Sequence, residues 1–542
     1  MTSLLARTLW FGIPLLAILL ICLRFDFGAP VTDLFHEGEY FSSALSVAHA
    51  DRFGFPVLVH GLLNYLPFEW ATAVCGADRS FACTRAINTF VVMCAMLAYL
   101  VCVWLLVRAR RDLWLAGVVG VVALFFVINW RVPNLVYLHQ GAPGIRDVLL
   151  FSELALLIVA SSDVRRRIML ATLASAGLVA AVGLFWAYNR GLIGIGLLGT
   201  YVAVRLVARR ELAGPIAAGA GLVAGMGALY LADAVAFAAH LGNILYWATH
   251  GSLWKISGDL ISRLIFLGAG LGLMGWVALL LLRQRPPAQH WEVGAVLLVQ
   301  VLAFLQVAEA RPDGVHFAFG LPAMLLLGLF ALRLKSPSWA RARGSAQTAL
   351  TTLLLLVFLD ANSPVPTLRI AAKQVVLNLR TMATGMPHNA SLFGPREQLA
   401  AQVLAQAGPC TYALEGSGVL YALSGRPACS PFLYPAYIGR EDEMRLVTQL
   451  AQARPEALVV ASRHWSMFVD NRPPAQRVPR LLAWIARRYP YQYRVGDFII
   501  RSNKQLSIPA AALLAADADA ALFGPYDPQA PALEKVNSRS ER

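Results

Sequence analysis

Long apolar runs along the chain alternate with short stretches that gather arginine. The runs cover residues 8–23, 86–107, 113–128, 148–160, 168–186, 192–207, 215–232, 261–282, 293–308, 315–332 and 348–359. An upright helix needs ~20 apolar residues to cross a bilayer, so the pattern predicts about eleven spans with soft ends. Every second connection is basic: "RARRD" (108–112), "DVRRR" (163–167), "RLVARRE" (205–211), "RQR" (283–285) and "RLKSPSWARAR" (333–343). Short loops retained in the cytoplasm carry this bias. A cytoplasmic N-terminus then puts residues 24–85, 129–147, 188–191, 233–263, 309–314 and everything after Asp360 outside.

The pattern changes in the tail. "CTYALE", "EALVVAS" and "DFIIRS" are short apolar segments of strand type, while "EDEMRLVTQLAQA" and "RVPRLLAWIARRYP" repeat apolar residues at helical spacing. The expected organisation is a polytopic α-helical membrane module over 1–361, an extracytoplasmic α/β domain over 362–503 with its folded part from about 374 to 502, and a loosely ordered tail over 504–542 rich in Ala, Pro, Asp and Ser. No internal repeat is visible.

Composition agrees. The 542 residues are 58% hydrophobic and 14% charged, with a mean hydropathy of +0.59, more apolar surface than a soluble domain of this size needs. The net charge of +15 is concentrated in the loops between spans, so the chain offers no case for a nucleic-acid partner. Arg7 precedes the first run and no small-residue cleavage site follows it, so that run reads as a retained span. Of seven cysteines, Cys22, Cys94 and Cys102 fall in spans. Cys75 with Cys83 and Cys410 with Cys429 form two local pairs on the outer side, where disulfides persist.

Chemistry concentrates on that outer side. The loop 24–85, about sixty residues, is too long for a simple connector. It opens with "DLFHEGEYF", which holds Asp33, His36, Glu37 and Glu39 within nine residues. The following "FSSALSVAHADRFGF" suits a helix lying along the interface with Phe and Leu towards lipid. Asp33 can cap that helix, and Glu37 and Glu39 suit its first turn. Capping does not account for the whole group, because like charges crowded around Gly38 repel unless they take a proton or hold a cation. These carboxylates could hold a divalent cation (Mg, Mn or Ca), although neither HExxH, CxxC nor an EF-hand pattern is present, so the metal stays open. A second group, "EARPDGVHF", brings Arg311, Asp313 and His316 into one outer loop, with donors suited to a phosphate. Arg190 in "WAYNRGL", Arg146–Asp147 and Lys255 also place charge on the outer face against the sidedness rule, and His60 in "VHGLLNYLP" is either a site member or a boundary histidine.

These features resemble the GT-C superfamily of membrane glycosyltransferases: an acidic motif in the first outer loop, an interfacial helix, about a dozen spans with short cytoplasmic loops and a terminal outer domain. The nearest resemblance is to bacterial GT-C-like proteins with D-x-x-H-E-G-E followed by HG, matched here by Asp33, His36, Glu37, Gly38, Glu39, His60 and Gly61. "RPDGVHF" is similar to their R-x-D-x-x-H loop, and "FLYPAYIG" and "YPYQYRVGDFIIR" to their tails. The resemblance covers most of the chain through short motifs. It departs at "YNRG", where an acidic residue is expected in place of Asn189.

The resemblance implies a glycosyltransferase of the bacterial inner membrane that moves a sugar from a polyprenyl-phosphate donor to an extracytoplasmic glycan, lipid or protein acceptor by inverting displacement. Under it, Asp33 or Glu37 is the base and Glu39 orients the acceptor or a cation. His36 and His60 bind substrate, Arg311 and His316 hold the donor phosphate, Asp313 fixes Arg311, and Arg190 assists. An oligosaccharide ligase using a lipid-pyrophosphate donor and a flippase or transporter are the alternatives. A transporter is expected to carry charge deep in its spans and a repeated half, and apart from Glu153 the clear runs are almost free of charge.

Overall fold

The computed structural model describes residues 3–334 and 364–508, apart from gaps at 109, 111–112, 131, 133, 251–259, 312–313, 415, 436–437, 440 and 463–473. The chain divides into two compact units, one made of Met1–Ala29 with Val59–Asn389 and the other of Pro30–Leu58 with the chain from Ala390 onward.

The first unit is helical. Its long elements, together with α2 and α3 of the second unit in chain order, are α1 (Ser3–Leu23), α2 (His36–Val47), α3 (Ala50–Phe53), α4 (Leu66–Cys75), α5 (Ser80–Val107), α6 (Trp114–Phe125), α7 (Leu135–Gln140), α8 (Val148–Ser161), α9 (Arg166–Trp186) and α10 (Tyr188–Arg209). There follow α11 (Ala213–Ala232), α12 (Ala234–Thr249), α13 (Leu260–Gln284), α14 (Ala288–Ala310), α15 (Gly314–Leu334) and α16 (Pro364–Thr384). Every apolar run expected up to residue 332 falls on a helix, while the run 348–359 lies outside the described residues. Seven helices among the described residues are long and apolar enough to cross a membrane. The runs on α1, α6 and α8 are shorter.

Small residues let helices approach: α9 and α11 touch where Gly177 and Gly221 face backbone of the opposite helix, leaving no room for a Cβ. The core is aromatic where α5, α8 and α15 meet. Tyr99 stands edge-on to Phe151 at 5.0 Å, and its hydroxyl donates to the Pro322 carbonyl at 3.1 Å. At the end of α10, Arg205 bonds Glu211 at 2.6 Å and Arg209 bonds Glu292 at 2.6 Å. Part of the basic loop read as a sidedness signal is therefore a neutralised cluster tying α10 to α14. Asn378 of α16 donates to the Leu23 carbonyl at 2.9 Å, satisfying the open end of α1. Cys75 and Cys83 are disulfide-bonded, as expected.

The second unit holds a four-stranded sheet in the order β1 (Tyr412–Ala413), β2 (Ala457–Ser462), β4 (Phe498–Ser502), β3 (Tyr491–Val495). β1 runs parallel to β2, and the other neighbours are antiparallel, with Ile500 opposite both Val459 and Tyr493. Its helices are α17 (Pro395–Gln406), α18 (Gly418–Ser424), α19 (Glu443–Ala453), α20 (Pro474–Arg477) and α21 (Pro479–Arg488). The three expected strands and both expected helices are present, and β3 is an addition. Cys410 and Cys429 are joined, as expected.

The unexpected member of this unit is α2, the helix of the acidic motif. It packs on α18, several hundred residues later in the chain. Leu34 accepts from Val419 N at 3.4 Å, Ser42 Oγ lies 2.6 Å from Tyr434 Oη, and Val31 N donates to the Leu392 carbonyl at 2.8 Å. Gly38 and Gly418 meet backbone to backbone, where a Cβ on Gly38 would overlap Val419 N. The expected lipid-facing helix is thus corrected: Tyr40 and Phe41 are buried in protein. An apolar stripe reports that a face is covered without saying by what. The expected division at residues 361 and 362 also differs from the two units observed.

Candidate functional site

In the second unit, Asp33 shapes the acidic motif. Its Oδ1 accepts from the His36 backbone N–H at 2.9 Å and its Oδ2 lies 2.8 Å from His36 Nδ1, so one carboxylate starts α2 and holds the imidazole. Asp33, Glu37 and Glu39 are all buried, while His36 is partly exposed. Phe35 stands edge-on to the His36 ring at 5.0 Å and lies 5.2 Å from Tyr434. Glu37 and Glu39 lie in the first turn of α2 as expected, but two residues apart on a helix they do not face one another. With both Asp33 oxygens engaged by His36, these three carboxylates do not form a ready divalent-cation site.

The first unit contains a second group, built around Phe319 in α15. Arg190, in the first turn of α10, is 2% exposed, and its Nε donates to Asp147 Oδ1 at 2.6 Å. Asp147 is fixed in turn by the Gly144 N–H at 2.9 Å. Arg190 Nη1 and Nη2 have no hydrogen-bond partner; the guanidinium lies over Phe304 at 4.8 Å and over Phe319 at 5.5 Å. Arg146 also lies over Phe319, at 5.1 Å, and donates to the Gln140 carbonyl at 3.0 Å. The His316 ring stands edge-on to Phe319 at 5.2 Å. Two guanidinium groups and an imidazole therefore share one phenyl ring, with Asp147 paired to Arg190 beside them. Forked donors left open in a buried setting suit an anion with several oxygens.

His60 and Gly61 brace this group. The His60 carbonyl accepts from Tyr188 N at 3.4 Å, and Asn64 Nδ2 donates to the Trp186 carbonyl at 3.1 Å. Gly61 approaches Phe185 and Trp186 so closely that a Cβ has no room. The pair "HG" thus holds the turn from which α10 and Arg190 start. Asn189, where an acid was expected, accepts with its side chain from the Arg190 N–H at 2.8 Å. Arg311 is half-buried just past the end of α14. Asp313 and Lys255 lie outside the described residues.

Sequence reasoning found Arg190 because charge at that place breaks the sidedness rule, and His316 because it stands with Arg311 and Asp313 in one loop. It missed Phe304 and Phe319, which look like ordinary apolar residues of a span. Arg24 and Arg85, in and beside the first long loop, have structural work: Arg24 donates to the carbonyls of Trp130 at 2.5 Å and Val132 at 2.8 Å, and Arg85 to those of Phe27 at 3.0 Å and Ala29 at 2.5 Å.

No family model matches the chain, and no curated protein does. Among solved structures it is similar to ArnT from Cupriavidus metallidurans bound to undecaprenyl phosphate, at 14% identity over 93% of this chain and 99% of that one, with a TM-score of 0.45. It is similar also to the Archaeoglobus fulgidus oligosaccharyltransferase tethered with an acceptor peptide, at 12% identity over 94% and 76%, with a TM-score of 0.46. A further structure of that oligosaccharyltransferase, in complex with Zn and sulfate, gives 12% identity over 92% and 74% and a TM-score of 0.44. Likenesses of this degree do not define a reaction.

Proposed function

We propose that this protein is a membrane glycosyltransferase that moves a sugar from a polyprenyl-phosphate donor to an extracytoplasmic acceptor. The observation that carries the reading is the buried Arg190 guanidinium, with two unpartnered nitrogens beside Arg146 and His316 on the Phe319 ring. Such a group holds a phosphate whose lipid tail lies among the spans. It also stabilises the charge that grows on the phosphate as it leaves.

The acidic motif supplies the other half of the chemistry. An acceptor hydroxyl gives its proton to a carboxylate, its oxygen bonds to the anomeric carbon, and the bond from that carbon to the phosphate oxygen breaks with its electrons. Glu37 is the preferred base, because both Asp33 oxygens are taken by His36. Asp33 then positions the turn and the imidazole, and Glu39 orients the acceptor. Partial desolvation raises the basicity of a buried carboxylate. No step passes through a metal. The reading places the protein in a bacterial inner membrane with its N-terminus in the cytoplasm, in line with the basic loops.

The test is to change Asp33→Asn and Glu37→Gln singly and to assay transfer from a synthetic polyprenyl-phosphate sugar. Both variants are expected to remain folded. Glu37→Gln is expected to lose at least ~100-fold in rate, the usual worth of a general base. Full activity in both would refute the reading.

A further inference from the structure

The helix α16 has no part in the chemistry above. It is fixed at two points within the first unit. Asn378 Nδ2 donates to the Leu23 carbonyl at 2.9 Å, at the end of α1. Just beyond the C-terminus of α16, Asn389 Nδ2 donates to the Ala77 carbonyl at 2.7 Å and its Oδ1 accepts from Phe81 N at 3.1 Å, at the start of α5. No helix between α1 and α5 is long enough to cross a membrane, so both anchors belong to one membrane face. They hold α16 at that lipid–water boundary.

Helical spacing sorts its side chains into stripes. Ala371 and Asn378, seven residues apart, are buried against the bundle. Arg369, Lys373 and Arg380 line the opposite face, and all three are exposed. The two flanks are apolar. Ile370 and Leu377 on one are 68% and 42% exposed, and Val376 and Leu379 on the other are 66% and 51% exposed. In water, four large apolar side chains this open are costly. The helix carries no acidic residue, and no carboxylate among the described residues pairs with any of its three cations. Arg209 and Arg263 of the same unit, by contrast, pair with Glu292 and Glu309.

Cations and open apolar flanks together select the occupant. A soluble anion answers the charges but leaves the flanks wet. An uncharged apolar surface covers the flanks but leaves three cations unanswered. A phospholipid of net negative charge does both, its phosphate accepting from guanidinium and ammonium groups while its acyl chains cover the flanks. The boundary to which α16 is anchored is where such headgroups lie. On the sidedness read from the basic loops, α16 is outside, where the positive-inside bias supplies no reason for a cationic stripe.

We propose that α16 is a docking surface for acidic phospholipid of the leaflet it lies on, with Arg369, Lys373 and Arg380 holding headgroup phosphates and the apolar flanks set among acyl chains. The proposal rests on α16 and its two anchors and is independent of the transfer reading. Full-length protein in phosphatidylcholine nanodiscs doped with a photoactivatable phosphatidylglycerol tests it, by mapping the labelled peptides. Peptides from 369–384 are expected to carry label. In the triple variant Arg369→Gln, Lys373→Gln, Arg380→Gln that label is expected to fall at least about fivefold, the worth of one cation at an anionic surface. Label on the basic loops 163–167 and 283–285 is expected to stay constant. In the unsubstituted protein, about tenfold more sodium chloride, which shortens the Debye length about threefold, should also reduce the label on α16. This second measurement decides the matter if the variant fails to fold. The proposal is overturned by absence of label on α16, by label insensitive to substitution or to salt, or by a fall shared with the basic loops. Equal label from a photoactivatable phosphatidylcholine, or stronger label from a polyprenyl-phosphate analogue, overturns it as well.

Discussion

At the scale of single residues, the pairing of Arg190 with Asp147 decides how the cationic group behaves. One nitrogen of the guanidinium is spent on a buried carboxylate and the other two remain. Deleting either partner alone strands a charge, which costs about 3–5 kcal/mol and obscures any binding effect. Arg190→Lys avoids this by keeping the charge while removing the fork. It is expected to weaken polyprenyl-phosphate binding about tenfold, the loss of one charge-assisted hydrogen bond. Titration with the lipid phosphate in nanodiscs reads this directly, and an unchanged affinity would tell against the assignment. Residues such as Arg190 and His316 were legible because charge at the end of a span is rare enough to notice. Phe319 was not, because nothing in a sequence separates a phenylalanine that fills a core from one that carries two guanidinium groups.

At the scale of elements, the spans were legible nearly throughout, since apolar length and basic loops are read directly from the chain. What α2 packs against was not. Its alternation of buried and polar positions marked a covered face, and lipid was the natural partner for a segment between two spans. The actual partner, α18, is a seven-residue helix far along the sequence, met through two glycines. Gly38→Ala is therefore expected to separate α2 from α18 and to cost at least ~1–3 kcal/mol, the usual penalty for overpacking, since backbone atoms cannot give way as side chains do. Thermal unfolding followed by tryptophan fluorescence checks this, and a melting curve identical to that of the parent would contradict it. Among the strands, β2 and β4 announced themselves by runs of Val and Ile. β3, with Gln492 and Arg494 on an edge of the sheet, carried a weaker signal.

At the scale of the whole molecule, the second unit is composed of two distant pieces of chain, so its integrity and that of the acidic motif are one property. Removing residues 390–508 is expected to abolish transfer outright rather than to raise the acceptor KM, because α2 loses the surface it folds on. Binding of polyprenyl phosphate, which the proposed function assigns to the first unit, should survive. A truncated protein that transfers with only a weaker acceptor affinity would show that α2 stands without its partner. The Cys410–Cys429 bridge closes a loop with a sequence separation of 19 within this unit. Replacing both cysteines by serine is expected to lower its stability by about 3 kcal/mol, from the chain entropy restored to the unfolded state. Urea unfolding with and without reductant measures that difference, and superimposable curves would argue against it.

The meeting of Gly38 with Gly418 also has a meaning in time. The ribosome delivers the segment "HEGEYFSS" near the start of synthesis and its docking surface near the end. At about 5–20 residues per second the delay lasts tens of seconds. During that interval Tyr40 and Phe41 are without the surface that buries them, so a holdase has reason to attend this chain. Maturation of the second unit, on this view, is complete only when the last folded segment is released and closes over the first.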